Sequence, residues 1–215
     1  MWIMPQIALQ RVIQHGIRQL KDNPAALEEI FNYMHEGDIS EDYGADYVDE
    51  VKRWFMTTKI PVLHAWTFNT DRIPCVTIHL ASEQEDETKA SLNDYWGEED
   101  GNQLGTTPFT VQLDIGIHAS KTSDQVLWMY YIVSYILFKN KVYAEKLGLS
   151  LQTFSASDWE KRPEYMTENI WTRWIRFRCT TQNFWELAKG QEYKVETEIA
   201  VDSAGDEDDS DVVLI

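Results

Sequence analysis

Cysteine is scarce in this chain, which excludes a fold held together by disulfide bonds. The 215 residues include only two cysteines, Cys75 and Cys179, and no CxxC motif. Both lie on predicted strands, so we expect buried thiols in a reducing compartment rather than a disulfide framework or a redox pair.

Positive charge is also in short supply. Lysine and arginine total 19 against 36 aspartate and glutamate residues, a formal net charge of −17, and the pI is near 4.6. Because contacts from Lys and Arg to phosphate supply most of the affinity of nucleic-acid binders, this balance argues against a stand-alone DNA- or RNA-binding protein. The chain is nevertheless 43% hydrophobic, enough to bury a proper core.

No apolar run is long enough to cross a bilayer. The most apolar stretch, Val126 to Phe138, is interrupted only by Ser134 and falls short of the roughly 18 residues that a membrane span needs. The first residues, MWIMPQ, lack the charged and apolar regions of a secretory signal. We therefore expect no membrane association.

The standard signatures of catalysis are missing as well. The sequence contains no GxxxxGK[ST], GxGxxG, HExxH, GxSxG or EF-hand pattern, which argues against an enzyme. The best candidate metal set is His64, His79, His118 and Asp114, on neighbouring predicted strands. Because this set lacks the tight local spacing of common zinc sites, we interpret its members as solvent-side polar residues and predict no metal, cofactor or catalytic residue.

The clearest pattern that is present is an alternating strand that runs directly into an apolar helix. Phe109 to His118 alternates apolar and polar residues with the period of a half-buried strand. Thr122 then supplies an N-cap, with Gln125 as its capping-box partner, and the helix is predicted to end at Gly148. This helix is apolar on nearly every side, so either the N-terminal helices or another copy of the chain must cover it.

Other segments predict the rest of an α+β fold. Amphipathic helices are expected over Pro5 to Leu20, Pro24 to Met34 and Ala45 to Thr57, so that residues 1–58 form an N-terminal helical segment. Period-two segments predict a hairpin of Ile60 to Trp66 with Pro74 to Ala81, and later strands Leu149 to Ser155 and Asn169 to Thr181. The expected architecture is a mixed or antiparallel sheet with one long helix packed on it and the N-terminal helices beside them.

Two acidic segments interrupt this pattern. Residues 81–107 form a long polar stretch that we interpret as an extended loop or a protruding hairpin within a domain spanning 59–201. The acidic residues singled out there are Glu83, Glu85, Asp86, Glu87, Glu98, Glu99 and Asp100. A last strand candidate, Tyr193 to Val201, precedes residues 202–215, a tail whose run of like charges predicts disorder.

Aromatic residues are unusually frequent for one small core. The chain has nine tryptophans, and tryptophan, tyrosine and arginine favour the buried centres of protein interfaces. The candidate subunit-interface residues are Trp128, Tyr131, Tyr135, Trp174, Arg173, Arg176 and Arg178, with the arginines in inter-subunit ion pairs. Core packing is the alternative for the aromatic residues, and a solvated strand face is the alternative for the arginines.

The order of these elements resembles that of the tail terminator and related neck or tail-completion proteins of long-tailed bacteriophages. The resemblance covers Ile60 to Thr181 and rests on the strand PCVTIHLASE and on the strand DIGIHA before the capped helix. It implies a structural virion protein of the phage neck, without catalytic residues, that forms a ring, preferentially hexameric, on a contractile tail. Such a ring caps the tail tube, adjoins tube and sheath proteins, and meets the head connector or collar protein.

An acidic lumen suits a ring through which DNA passes, because like-charge repulsion keeps the DNA from sticking. We expect the acidic residues of segment 81–107 to line that lumen without binding DNA specifically. A different class of function is a small acidic binding module that presents carboxylates to a basic protein as a DNA mimic. A monomer or dimer is expected of the module, and a larger ring of the neck protein.

Overall fold

The computed structural model describes residues 3–32, 44, 46–64, 70–85, 96–99, 102–158 and 170–187. These residues form two layers, a six-stranded mixed sheet and a set of helices packed on one of its faces. The predicted α+β class with a mixed sheet is confirmed. Within the described residues, no helix is long and apolar enough to cross a membrane.

The secondary-structure elements have the following bounds. The helices are α1 Pro5–Asp22, α2 Ala25–Asn32, α3 Tyr47–Thr57, α4 Ser123–Lys139 and α5 Lys141–Lys146. The strands are β1 Val62–His64, β2 Cys75–Glu85, β3 Trp96–Glu99, β4 Asn102–Ala119, β5 Ser150–Asp158 and β6 Trp171–Leu187. The strand order is β1-β2-β4-β6-β5, and β3 pairs with β4 as well.

The predicted hairpin between the first two strands is wrong. β1 pairs with β2 in parallel, with Val62 opposite Val76, whereas every other strand pair in the described sheet is antiparallel. Packing against α1 contributes to holding β1 at this edge, where the side chain of Gln10 donates a hydrogen bond to the Val62 carbonyl at 2.8 Å. Period-two alternation shows that a segment is a strand but carries no information about its direction.

Segment 81–107 contributes strands to the sheet, which fits the protruding hairpin rather than the extended loop. β2 runs on to Glu85, and β3 pairs with the start of β4, with Trp96 opposite Gly105. β6 pairs with β4 along its whole length, as far as Leu187 opposite Gln103. Together β3, the first part of β4 and the last part of β6 form a ribbon that continues past the ends of β2 and β5, and we call it the arm. Residues 86–95, 100 and 101 lie outside the described residues.

The apolar helix α4 is covered mainly from within the chain. Thr122 Oγ1 accepts the Gln125 backbone N–H at 3.4 Å, as the predicted N-cap requires. The predicted helix is divided at Asn140 into α4 and α5. It ends at Lys146 with Leu147 as its C-cap, and Gly148 follows with φ at +88°. The N-terminal helices, the first of the two expected covers, share one hydrophobic core with α4 and the sheet.

Close packing of α1 on α4 depends on one glycine. A Cβ at Gly16 would lie 2.3 Å from Cγ2 of Ile136, far inside van der Waals contact. The segment just before α1 is tied to the sheet by the backbone N–H of Ile3, which donates to Oδ1 of Asn183 on β6 at 2.9 Å. The last strand candidate, Tyr193 to Val201, and the tail 202–215 lie outside the described residues.

Candidate functional surfaces

The sheet has one buried face and one open face. Along β4, Val111, Leu113, Ile115 and Ile117 are fully buried beneath the helices, as the alternation predicted. The other face is covered by no helix or strand within the described part of the chain, and we call it the open face. From β2, β4, β6 and β5 it carries Thr77, His79, Gln112, Asp114, Gly116, His118, Thr172, Trp174, Arg176, Arg178, Thr153, Ser155 and Ser157.

One end of the open face holds a buried histidine rather than a solvent-side one. His118 is only 1% exposed. Its Nε2 lies 2.8 Å from Oγ1 of Thr77, and its Nδ1 lies 2.9 Å from Oγ1 of Thr172. Burial, with a smaller contribution from His79, lowers the pKa of His118 from 6.5 to about 3. The imidazole is therefore neutral at pH 7 and links β2, β4 and β6.

Gly116 makes room for this arrangement. A Cβ at Gly116 would lie 2.6 Å from both His118 Nε2 and Thr77 Oγ1. Trp174 is the cross-strand partner of Gly116, and its ring packs at 5.8 Å from that of His118 and 4.9 Å from that of His79. The DIGIH sequence thus places Gly116 at the position where the Trp174 ring and the His118 imidazole pack against the strand.

The candidate metal residues do not converge on a site. In the part of the chain that the structure describes, no group of three or more His, Cys, Asp or Glu residues could hold a metal ion. Both ring nitrogens of His118 face threonine hydroxyls, and burial lowers the pKa of His79, against an opposing effect from Asp114.

The two cysteines are buried thiols and carry no nucleophilic chemistry. Burial raises the pKa of Cys75 to about 12. Burial, followed by the charge of Glu83, raises the pKa of Cys179 to about 12 as well. A thiol of so high a pKa stays protonated at pH 7, and only the thiolate is an effective nucleophile or metal ligand.

The three arginines of the predicted interface fall on two faces. Arg176 and Arg178 lie on the open face, where Arg176 Nε donates to Asp114 Oδ1 at 3.2 Å and Arg178 Nε donates to Gln112 Oε1 at 3.3 Å. Arg173 lies on the helix side, with its guanidinium 4.6 Å from the centre of the Tyr130 ring. Both open-face arginines are exposed, so each can still contact a second molecule.

The aromatic residues of the predicted interface are more buried than expected. Trp128 is 5% exposed, and its indole N–H donates to the hydroxyl of Tyr47 at 2.9 Å. The interface prediction does not fit Trp128, because α3 already covers it within the chain. Tyr135 is half-buried and donates to Glu29 at 3.1 Å, and burial, followed by this hydrogen bond, raises its pKa. Tyr131 is half-buried beside α4's Tyr130, and Trp174 belongs to the open face.

The predicted lumen residues that the structure describes follow one edge of β4. Glu83 and Glu85 end β2, and Glu98 and Glu99 belong to β3. Since β2 and β3 pair in succession with the same side of β4, these four residues lie on strands arranged end to end. Asp86, Glu87 and Asp100 lie outside the described residues.

A further surface was not singled out from the sequence. Within the described residues no strand pairs with the outer edge of β5. Beside that edge, on the helix side, Phe138 is 57% exposed and stacks on Phe154 of β5 at 4.5 Å, and Val142 on α5 is 65% exposed. The signal for this surface was present in the all-round apolar character of the central helix, which one chain covers only in part.

No protein-family model matches this chain, and a search of curated proteins gives no match.

Proposed function

We propose that this protein is a structural subunit of a bacteriophage neck that assembles into a ring on the end of a contractile tail. The ring, hexameric in this proposal, caps the tail tube, contacts tube and sheath proteins, and joins them to the head connector or collar protein. The mature protein would then be located in the virion, after assembly in the host cytoplasm. The assignment is supported by the capped helix α4 that follows the alternating strand β4, which are features on which the resemblance rests.

The observation that carries the proposal is a row of acidic residues along one edge of β4, beginning on β2 and continuing into the arm. Glu83 and Glu85 at the end of β2, with Glu98 and Glu99 on β3, follow the flank of β4. Repeated around a ring, such rows would supply a wall of negative charge along a central channel. At a Debye length of about 8 Å, DNA within the channel would feel this charge without being bound.

Assembly into a ring needs two different surfaces on each copy, since each subunit contacts its two neighbours through unlike patches. The outer edge of β5 with its apolar surroundings is one such surface, and the arm is a second. The open face, with Arg176 and Arg178, adds a polar surface of the kind that surrounds the hydrophobic centre of an interface.

The deciding experiment is the mass and shape of the purified full-length protein. Native mass spectrometry and negative-stain images should show a ring whose mass is a multiple of the 25.1 kDa chain. A single 25.1 kDa species at micromolar concentration would overturn the ring and favour the acidic binding module, which would present Glu83, Glu85, Glu98 and Glu99 to its partner. A basic protein retained by that monomer would then identify its partner class.

A further inference from the structure

From Thr153 to Ser157, beyond a register shift near its start, the outer edge of β5 lacks the features that normally protect an exposed strand. Natural sheets guard their edges with lysine, proline, bulges or very short strands. β5 runs from Ser150 to Asp158 and contains no proline and no basic residue, and its stretch Thr153 to Ser157 pairs with β6 in unbroken register. Such an edge offers a row of backbone N–H and C=O groups to an added strand.

The two sides of this edge differ in chemistry. On the helix side, Phe138 and Val142 expose apolar surface next to β5. On the open face, Thr153 and Ser155 are small, and they lie opposite Arg178 and Arg176 of β6. A strand added to β5 would lie about 10 Å from β6, two strand spacings away. Arg176 and Arg178 would reach its carboxylates by swinging over the small residues of β5, away from Asp114 and Gln112 of β4, which they contact in the free chain.

The chain contains a segment with the complementary pattern. In residues 193–201, Tyr193, Val195, Thr197, Ile199 and Val201 alternate with Lys194, Glu196, Glu198 and Ala200, so the first side is apolar except at Thr197. As a strand, its apolar side chains would cover Phe138 and Val142, while its two glutamates would face the arginines.

A chain cannot bring this segment to the edge of its own β5 in full register. Arg178, level with Thr153 of β5, is nine residues before Leu187, so β6 advances about 30 Å beyond the exposed stretch of β5. From Leu187 to Tyr193 a fully extended chain spans only about 22 Å. If residues 193–201 instead formed a hairpin with β6 of the same chain, Glu196 and Glu198 would lie next to Phe184 and Gln182. Neither residue is a cation, so the glutamates would have no ion-pair partner there.

We infer that residues 193–201 of one copy add as a strand to the outer edge of β5 in a neighbouring copy. Each subunit then donates a strand at the end of its arm and accepts one at β5, a head-to-tail contact that closes into a ring. This inference rests on the proposed ring and names the contact that joins its subunits.

The test uses two full-length variants that each remove one half of the contact. Val195→Asp with Ile199→Asp disables the donated strand, and Phe138→Asp with Val142→Asp disables the accepting edge. We expect each variant alone to lose the ring and give the 25.1 kDa monomer. Mixed in equal amounts, they should form a one-to-one dimer, because each retains the half that the other lacks. The control is Met56→Asp, at a residue 42% exposed on α3, which should retain the ring.

A cooperative urea unfolding transition in each variant would show that the monomers are folded, at a midpoint below that of the wild type because the ring stabilises its subunits. Should a double variant unfold, Arg178→Glu offers a milder probe, since Arg178 is exposed. It should weaken assembly at least tenfold, and Glu196→Arg with Glu198→Arg should restore it. If either double variant still forms the ring, or if the mixture stays monomeric, the strand exchange is overturned and the ring must be held by other surfaces. A monomeric wild type whose β5 edge exchanges freely with deuterium would overturn both proposals.

Discussion

Nε2 of His118 lies 2.8 Å from Oγ1 of Thr77, across two neighbouring strands, with both side chains buried. The pair stands over Gly116, whose missing side chain leaves the space that the imidazole occupies. Trp174 closes the arrangement from the next strand. Because this polar cluster is buried, added side-chain volume at Gly116 or a proton on His118 should each lower the stability of the fold.

Replacing Gly116 by alanine should destabilise the fold by about 1 to 3 kcal/mol, the usual cost of overpacking a tight site. The added Cβ would lie 2.6 Å from both His118 Nε2 and Thr77 Oγ1, so the histidine must move. Urea unfolding measures the loss. Ser82→Ala, at an exposed position on β2, is the control and should stay within about 0.5 kcal/mol of the wild type. Equal stability of the two variants would contradict the close approach.

Acidification should destabilise the protein partly through His118. Its pKa is about 3 when folded and 6.5 ordinarily, so below pH 6.5 the unfolded chain binds a proton that the folded chain excludes. The stabilisation is complete above pH 6.5 and declines as the pH falls towards 3, with a slope of up to about 1.4 kcal/mol per pH unit. In His118→Gln this part of the slope should vanish. Unfolding curves recorded from pH 7 to pH 4 check it, and parallel curves for variant and wild type would rule it out.

Tyr47→Phe should destabilise the chain by about 1 to 3 kcal/mol, because the buried indole N–H of Trp128 loses its acceptor. The mass of the assembly should not change, since Trp128 packs inside one chain. Thermal unfolding and native mass spectrometry report the two effects separately. Tyr131→Phe, on the partly exposed side of α4, is the matched control and should leave stability nearly unchanged. Loss of the oligomer in a folded Tyr47→Phe protein would contradict this prediction and indicate that Trp128 contributes to the subunit interface.

The contact between Gly16 and Ile136 should appear as non-additivity. Gly16→Ala forces a Cβ to within 2.3 Å of the isoleucine side chain and should cost about 1 to 3 kcal/mol. Ile136→Ala should cost about 2 to 5 kcal/mol by leaving a cavity. Because the new methyl group would enter that cavity, the double variant should be at least about 1 kcal/mol more stable than the two costs combined predict. A cycle of denaturant midpoints measures this, and strict additivity would mean that α1 and α4 do not touch there.

Neutralising the four described glutamates along the edge of β4 should increase the affinity of the protein for DNA. With Glu83, Glu85, Glu98 and Glu99 changed to glutamine, fluorescence anisotropy at low salt should show retention of duplex DNA that fades as salt is added. The matched control removes the same charge elsewhere, as Asp49→Asn, Glu50→Gln, Asp124→Asn and Glu145→Gln, at exposed helical positions. Equal DNA retention by both variants would show that only the net charge matters and that the position of these four glutamates does not.

Local pattern was enough to predict several elements correctly. The alternation from Val111 to Ile117 assigned the buried face of β4, and Thr122 marked the start of α4, because both signals depend only on neighbours in the sequence. The hairpin prediction failed at β1, since strand direction depends on the path of the chain between strands. The depth of His118 was not predictable either, because it depends on Thr77 and Trp174, which neighbouring strands bring into place.

The sequence by itself determined the α+β class, the apolar face of the sheet and the acidic balance of the chain, because composition and periodicity act through residues a few positions apart. Only the tertiary structure decided that Trp128 is enclosed, that Arg173 lies on the opposite face from Arg176, and that the strands carrying Glu83, Glu85, Glu98 and Glu99 pair in succession with one edge of β4. Those outcomes depend on strand register and on which elements pack together. Contacts between distant residues determine both, and no local pattern records them.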